Sequence, residues 1–337
     1  MGGGGPNPNG TGMHTSAAGS DPSSGAVARR RIAVLGPRGQ IGRVVVRELL
    51  AQGAEVVTVS RSATPPAGVF AHRAVGADAP EALGRALRDC SSVIVAVGLP
   101  YRAAVWEREW VPLMQTIVAA ASDHDIPLTV LDNLYAYGRA SGPISEAQPL
   151  APCSRKGDAR RAGAAVLEHA RAWGADIVLC RAADFLGPGA ETTVLPWSTI
   201  TRILARRGGR FNWFGPPEYR HSFALPGDVA RGLITVCSHP RLRAAPAVHL
   251  PAIAPFSGDE LAAQLARAAG GPVSARVLSR GLLAVAGLFS SAAREQLEMR
   301  YQFASNYVID DSVFRGLVPG EPRRELSDII ALARPGR

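Results

Sequence analysis

The feature that most constrains the fold is a glycine-rich turn between a short apolar run and an amphipathic helix. Residues 31–35 (RIAVL) are followed by Gly36, Gly39 and Gly42 in a G-x-x-G-x-x-G pattern. A helix with apolar residues at helical spacing follows, and a second apolar run begins two residues after Gly53. This order predicts a parallel βαβ unit, because glycines let the backbone approach a bound phosphate at the amino end of a helix.

Strand-like and helix-like segments alternate along the chain as far as about residue 190. The apolar runs after the second one lie at 92–97, 127–131 and 176–180, and the helix-like stretches lie at 80–89, 103–123 and 157–172. The alternation predicts an α/β fold, a Rossmann doubly wound parallel sheet that is covered by helices on both faces.

The alternation weakens after residue 190, where Pro and Gly interrupt mixed segments, although 226–238 has the pattern of a further sheet-covering helix. The start of the chain is rich in Gly, Ser, Pro and Asn and offers no apolar face to pack. We therefore expect four parts: a disordered tail at 1–28, a Rossmann domain at 29–190, a return to that domain at 226–245, and a smaller C-terminal substrate-binding lobe at 191–225 and 246–337.

The composition excludes several classes of protein. With 47% hydrophobic and 19% charged residues among 337, the chain can bury a sizeable core. No apolar run approaches the ~18 residues of a membrane span, and no signal-peptide pattern opens the sequence. The four cysteines lie far apart without a Cys-x-x-Cys spacing, which favours neither disulfides nor a metal site. We expect a cytoplasmic protein with no metal ligand and no membrane partner.

The basic residues carry two further indications. The net charge is +9, but the arginines are spread along the chain without a basic block that contains aromatic residues, so we expect no nucleic-acid partner. Of 37 basic residues, only Lys156 is lysine. Lysine is a compact point charge, whereas arginine is planar and bulky, so the one lysine is a candidate for a role that a guanidinium cannot fill.

The residues at the end of the second strand predict the type of dinucleotide. An acidic residue at this place would accept a hydrogen bond from the ribose 2′-hydroxyl of NAD(H). The sequence has Ser60 and Arg61 there, and Arg61 can pair with a 2′-phosphate, with Arg38 of the glycine turn as a second contact. We therefore expect NADP(H) to be preferred over NAD(H).

Several ordered motifs resemble the extended short-chain dehydrogenase/reductase superfamily, in its NAD-dependent epimerase/dehydratase branch. They are GPRGQIG, SSVIVAVG, LDNLYAYG (131–138), KG with its helix (156–172), RAADFLGPG (181–189), HSFALPGDVARG (221–232) and the stretch 297–317. The resemblance extends over nearly everything from residue 30 onward. It implies a bound nicotinamide dinucleotide, a small substrate lobe, and a homodimer formed through 103–123 and 157–172.

The resemblance also implies a catalytic Tyr-x-x-x-Lys pair with a Ser or Thr, and this chain departs from that pattern. Lys156 matches the family lysine, but Pro152 stands where the tyrosine belongs, and Asn133 aligns with the Ser/Thr. Tyr135 is our preferred proton donor, and Tyr137 is the alternative. We expect Asn133 to donate its amide to a substrate oxygen, and Lys156 to bind the ribose hydroxyls and favour a phenolate.

Further candidates follow from position alone. The cofactor contacts are expected from Gly36, Arg38, Gly39, Gln40, Ile41, Gly42, Arg61, Asp78, Val97, Gly98 and Lys156, and the substrate contacts from Asp184, His221 and Arg220. Asp78 stands where the family places an acidic residue near the adenine. Val97 and Gly98 end a central strand, where ligands of parallel sheets bind. Four tryptophans (Trp106, Trp110, Trp197 and Trp213) hint at an apolar pocket.

Three functions remain open from the sequence. The first is an NADP(H)-dependent oxidoreductase that acts on a carbonyl, hydroxyl or activated double bond of an apolar small molecule. The second is a redox-neutral epimerase, dehydratase or cyclase on the same fold, which the missing tyrosine favours. The third is a binding module that senses NADP without turnover; the retained lysine speaks against it.

Overall fold

The computed structural model describes residues 1–3, 30–320 and 323–334. Residues 4–28 of the predicted disordered tail lie outside the described residues. No helix in the described part of the chain combines the length and the apolarity needed to cross a bilayer.

The strands are, in chain order, β1 Arg31–Leu35, β2 Glu55–Ser60, β3 Ala71–Ala74, β4 Ser92–Val95, β5 Leu128–Asp132, β6 Ile177–Arg181, β7 Asp184–Phe185, β8 Gly209–Trp213, β9 Arg220–His221, β10 Phe223–Ala224, β11 Ala247–His249, β12 Phe256–Ser257 and β13 Val273–Val277. The helices are α1 Gly42–Ala51, α2 Pro80–Leu87, α3 Ala103–Ser122, α4 Arg155–Ala172, α5 Trp197–Ala205, α6 Pro226–Ser238, α7 Pro240–Ala244, α8 Gly258–Ala269, α9 Arg280–Phe289, α10 Ser291–Met299, α11 Ser312–Leu317 and α12 Leu326–Leu332. Two 3-10 turns lie at Tyr135–Tyr137 and Arg300–Phe303.

A seven-stranded parallel sheet forms the centre of the molecule, in the order β3-β2-β1-β4-β5-β6-β11. Helices α1 and α6 pack on one face of it, and α2, α3 and α4 on the other. The inner strands are largely apolar because both of their faces are buried; Val56 and Val57 of β2 are wholly inaccessible. The predicted Rossmann doubly wound fold is confirmed, and its strand order reverses between β1 and β4, where such sheets bind ligands.

Most of the smaller lobe follows β6 in the chain, and it has an apolar core of its own. Three two-stranded sheets (β7 with β10, β9 with β12, β8 with β13) and helices α5, α8 and α12 contribute to this lobe. Helices α9 and α10 form a helical hairpin between β13 and the second 3-10 turn.

The sequence boundary at 246 needs correction. Strand β11 lies beyond it and pairs with β6 in the central sheet. Phe314 of α11 also packs into the core below that sheet, and Asp311 accepts a hydrogen bond from the backbone of Ala252. The C-terminal segment therefore crosses back to the Rossmann domain before it ends in the lobe. The edge strand β3 was also not predicted, because its four residues include only two apolar ones and are only partly buried.

The four tryptophans belong to the two cores, so the pocket suggested by the sequence is wrong. Each is at least 91% buried. The rings of Trp106 and Trp110 lie 4.2 and 4.1 Å from the guanidinium carbon of Arg160, which donates to Asp132 at 2.8 Å. Cation–π contacts of this kind stabilise a buried arginine that also has a carboxylate partner.

Candidate functional site

The glycine turn lies at the strand-order reversal and is as close-packed as a phosphate site requires. Gly36 has a φ of +77°, and a Cβ added to it would lie 2.7 Å from the carbonyl oxygen of Ala96. A Cβ on Gly42 would lie 2.1 Å from the Gly36 carbonyl oxygen. Ile41 precedes α1 without a side-chain cap, so no side chain occupies the amino end of the helix, where an anion would bind; the amides of Arg43 and Val44 donate to the Gly39 and Ile41 carbonyls at 3.1 and 2.9 Å.

The end of β2 carries the polar groups that the sequence indicated. Ser60 Oγ is buried, and no partner for it occurs among the described residues. Arg61 is exposed beside Gly76 and Asp78, while Arg38 reaches the loop after β2, where it donates to the Thr64 carbonyl at 3.0 Å. An unpaired hydroxyl and two arginines at one strand end fit a phosphorylated ribose.

Three other residues predicted to contact the cofactor lie in the glycine turn and after β4. Gln40 is engaged already: its Oε1 accepts hydrogen bonds from the backbone of Glu191 and Thr192 at 3.2 and 3.1 Å, so it ties the glycine turn to the lobe. At the end of β4, a Cβ added to Gly98 would meet no atom within 4 Å, and the neighbouring Val97 is half-buried. Open space at this strand end is consistent with a ligand there.

Asn133 and Tyr135 lie together after β5. Asn133 Oδ1 accepts a hydrogen bond from the Tyr135 amide at 3.0 Å, which leaves the Asn133 NH₂ group as a donor toward the crevice. The Tyr135 side chain is half-buried, and desolvation raises the pKa of its phenol well above the ordinary value. The geometry thus keeps Asn133 as a donor and Tyr135 as a protonated phenol.

The structure excludes Tyr137 as a catalytic residue. Its side chain is 1% exposed; its hydroxyl accepts from Arg181 at 2.8 Å and donates to His249 Nε2 at 2.8 Å. His249 Nδ1 in turn donates to the Asp310 carbonyl at 2.9 Å. The Tyr137 hydroxyl therefore has both a donor and an acceptor as partners inside the core. The 3-10 turn directs the Tyr137 side chain away from the crevice.

We expect His249 to make the fold sensitive to acid. Burial lowers its pKa, and protonation of Nε2 would remove the acceptor of Tyr137. The unfolded chain then binds the proton more strongly, so the free energy of unfolding falls as pH drops below about 6.5, by at most ~1.4 kcal/mol per pH unit. Denaturant unfolding between pH 7.5 and 5.5 tests this. A His249→Gln variant should lose part of the slope, whereas the exposed His124→Gln should retain it; identical slopes would contradict the assignment.

Lys156 lies at the start of α4, 1% exposed, and its ammonium is bound by two carboxylates of α10. Nζ contacts Glu298 Oε2 at 3.0 Å and also pairs with Glu295. Glu298 accepts from the Lys156 amide at 3.0 Å, and Glu295 accepts from the amide of Ala103, the first residue of α3, at 3.1 Å. Lys156 therefore links α10 to two helices of the Rossmann domain, a role that the sequence did not predict.

Tyr101 is a further residue of this site that sequence reasoning missed. It follows the carboxyl end of β4, and its ring centroid lies 4.6 Å from Lys156 Nζ. Desolvation raises the pKa of its phenol, and a hydrogen bond shared with the Tyr135 hydroxyl offsets this rise only in part. Its place after a central strand was the available signal.

Asp184 and His221 lie together, and the His221 imidazole is hydrogen-bonded to the Asp184 carboxylate. Asp184 Oδ2 is 2.9 Å from His221 Nε2, and the imidazole stacks on Phe303 with a centroid distance of 4.1 Å. His221 is 2% exposed and so acts through Asp184. The predicted neighbour Arg220 points elsewhere, to the Pro255 carbonyl and Glu260.

Two small cavities flank Tyr135, each with a volume of about 10 Å³, room for about one water. The first is lined by Asn133, Asp184 and His221 among others, and the second by Tyr101, Val194, Phe214, Met299 and Phe303 among others.

A larger cavity, about 760 Å³, opens at the opposite, amino ends of the strands. Arg171 and Arg243 there are bound to backbone carbonyls and Asp176, and parallel sheets do not bind ligands at this edge. Among the described residues, no three His, Cys, Asp or Glu side chains are grouped as metal ligands, and the four cysteines are free thiols.

The sequence matches one protein family over more than half of its length. Residues 32–248 fit the profile of the NAD dependent epimerase/dehydratase family. The chain belongs to this family. Its membership confirms the resemblance drawn from the ordered motifs, from the glycine turn to the helix after β10. No curated protein sequence is significantly similar to this family member.

Solved structures share the fold of this epimerase/dehydratase family member at low sequence identity. They include MoeE5 in complex with UDP-glucose and NAD (20% identity, TM-score 0.69, 90% of this chain and 97% of that one). TunA, an NAD dependent NDP-hexosamine 5,6-dehydratase involved in tunicamycin biosynthesis, has 19% identity and a TM-score of 0.70 over 90% and 96%. The dTDP-glucose 4,6-dehydratase DesIV from Streptomyces venezuelae, a double mutant with NAD bound, has 19% and 0.68 over 90% and 95%.

Proposed function

We propose that the protein binds a nicotinamide dinucleotide at the glycine turn, prefers NADP(H), and acts as an oxidoreductase on a carbon–oxygen group of a small, largely apolar molecule. The observation that carries the proposal is the combination at one sheet edge of the close-packed glycine turn with Ser60, Arg61 and Arg38. Family membership supports the dinucleotide, and MoeE5, TunA and DesIV are NAD proteins of the same fold.

The residues divide the work between holding the cofactor and moving a proton. The glycine turn and the start of α1 would hold the pyrophosphate, and Arg61 and Arg38 the 2′-phosphate. The bound dinucleotide supplies or accepts a hydride. Asn133 donates from its amide to the substrate oxygen, which stabilises developing negative charge. A phenol at the second cavity exchanges the proton with that oxygen.

The walls of the site support an apolar substrate. Val194, Phe214, Met299 and Phe303 line the second cavity together with Arg300 and two glutamines, and Asp184 is the acidic group at the first. Apolar walls with a few directed polar groups are typical of small-molecule sites. A homodimer through α3 and α4 stays a prediction, which sedimentation velocity tests.

The redox-neutral alternative rests on the family itself, whose members include epimerases and dehydratases. In that case the hydride returns to the substrate and no net NADPH is consumed. Two incubations with candidate substrates distinguish them: with NADPH, stoichiometric loss of absorbance at 340 nm indicates net reduction, and with NADP+, product without a net gain of absorbance at 340 nm indicates the alternative.

We expect Arg61→Ala to weaken NADPH binding about 10-fold and to leave NADH binding unchanged, because a charge-assisted pair to phosphate contributes ~1.5 kcal/mol or more. Arg38→Ala should act in the same direction. Fluorescence titration with both nucleotides measures the ratio of dissociation constants. The exposed Arg85, on α2, supplies a control variant, Arg85→Ala, whose ratio should equal that of the wild type. An unchanged ratio in Arg61→Ala would refute the selectivity.

A further inference from the structure

We propose that Tyr101 is the catalytic residue that exchanges a proton with the substrate oxygen, and that Tyr135 is the hydrogen-bond donor that supports it. The inference rests on the proposed function and names the proton donor that the missing family tyrosine leaves open. Position 152, four residues before Lys156, holds a proline and can give no proton. The phenol has to come from another part of the fold.

The position of Tyr101 satisfies two requirements of such a residue. It lies in the loop that joins the carboxyl end of β4 to α3, on the side of the sheet where the strand order reverses and the dinucleotide is expected. Its ring lies over the ammonium of Lys156 at 4.6 Å, so a phenolate formed there would be beside the one lysine of the chain. Tyr101 also remains 37% exposed at the wall of the second cavity.

The remaining phenols of the site are committed elsewhere. Tyr135 shares a hydrogen bond with the Tyr101 hydroxyl, and its side chain is less exposed than that of Tyr101. Tyr307 donates to the Leu134 carbonyl at 3.0 Å and is 2% exposed, and Tyr301, 8% exposed, donates to the Tyr135 carbonyl at 3.4 Å. Tyr101 is therefore the most exposed phenol of this cluster and the one most accessible to a ligand.

The charges around Tyr101 set its resting state. Asp184, Glu298 and Glu295 all raise its pKa, and so does its burial. The carboxylates of α10 offset the charge of Lys156, which keeps the phenol protonated and ready to act as an acid. When the proton leaves, the hydroxyl of Tyr135 remains as a hydrogen-bond partner of the phenolate.

The proton step balances in the reductive direction. The substrate carbon gains a hydride supplied by the reduced dinucleotide, the carbonyl π bond breaks, and its electrons remain on the oxygen. That oxygen takes the hydrogen of Tyr101 Oη as a proton, and the O–H bonding pair stays on the phenolate. Water then returns a proton to Tyr101. Oxidation of an alcohol follows the reverse sequence, with Tyr101 as the base.

The first test needs neither substrate nor cofactor. Glu298→Gln and the double variant Glu295→Gln/Glu298→Gln expose the Lys156 charge, so one phenol should ionise at a pH lower by about one unit, read as tyrosinate absorbance at 295 nm. Adding Tyr101→Phe should remove this transition. If Tyr135→Phe removes it and Tyr101→Phe does not, or if no phenol responds in either carboxylate variant, the proposal is wrong.

The second test follows turnover with NADPH and a panel of apolar aldehydes and ketones. Tyr101→Phe should lower kcat by at least ~100-fold with NADPH affinity unchanged, whereas Tyr135→Phe should lower it less and shift the pH profile. Equal kcat in Tyr101→Phe and the wild type would overturn the proposal. Failure of the wild type to bind NADPH would instead contradict the proposed function, while the phenol titration would still decide the role of Tyr101.

Discussion

Gly42→Ala should weaken NADPH binding by about 10- to 100-fold. The new Cβ would lie 2.1 Å from the Gly36 carbonyl oxygen and 2.9 Å from its carbonyl carbon, both backbone atoms that cannot rotate away. The turn has to open, and overpacking of this kind costs about 1–3 kcal/mol. The N–H groups at the start of α1 then no longer converge on the pyrophosphate. Titration with NADPH gives the change in dissociation constant, and circular dichroism reports whether the fold persists.

The matched control for this variant is Gly142→Ala. Gly142 is exposed, has no positive φ, and an added Cβ would meet no atom within 4 Å. We expect its NADPH affinity to equal that of the wild type. If Gly42→Ala bound NADPH as tightly as this control, the close packing of the glycine turn would have no part in cofactor binding.

Lys156→Met should destabilise the fold by about 3 kcal/mol. The substitution leaves the carboxylates of Glu295 and Glu298 without their cation; their side chains are 16% and 18% exposed, so water compensates only in part. Restoring neutrality in the triple variant Lys156→Met/Glu295→Gln/Glu298→Gln should recover most of the loss. Denaturant unfolding of the three proteins measures the free energies.

The neighbouring residue provides the comparison. Arg155 pairs with Glu107 at the surface, where the two side chains are 59% and 41% exposed. Exposed ion pairs contribute little to stability, so Arg155→Met should leave the unfolding midpoint unchanged. A Lys156→Met protein as stable as Arg155→Met would show that the buried ion pairs do not hold α10 in place.

The elements that the sequence predicted are those with a local signal. The glycine turn needs three glycines at fixed spacing, and the buried strands of a parallel sheet are continuous apolar runs, so both could be identified without the structure. Strand β11 could not be, because three residues carry too short a pattern, and β3 is a half-buried edge strand.

The site was predicted less completely because its parts come from distant segments. Glu295 and Glu298 meet Lys156 across more than a hundred residues, and no spacing in the sequence relates them. Tyr135 and Tyr137 are two residues apart and could not be ranked from the sequence, yet one faces the crevice and the other binds His249 in the core. The direction of a side chain in a 3-10 turn depends on the packing around it.

The most direct test of the central claim is a fluorescence titration of the purified protein with NADPH and, separately, with NADH. The glycine turn and the two arginines at the end of β2 predict saturable binding of both, with a dissociation constant for NADPH at least ~10-fold lower. Equal affinities would show that Arg61 and Arg38 do not select NADPH, while the dinucleotide site at the glycine turn would still stand. Binding of neither nucleotide would contradict the account as a whole.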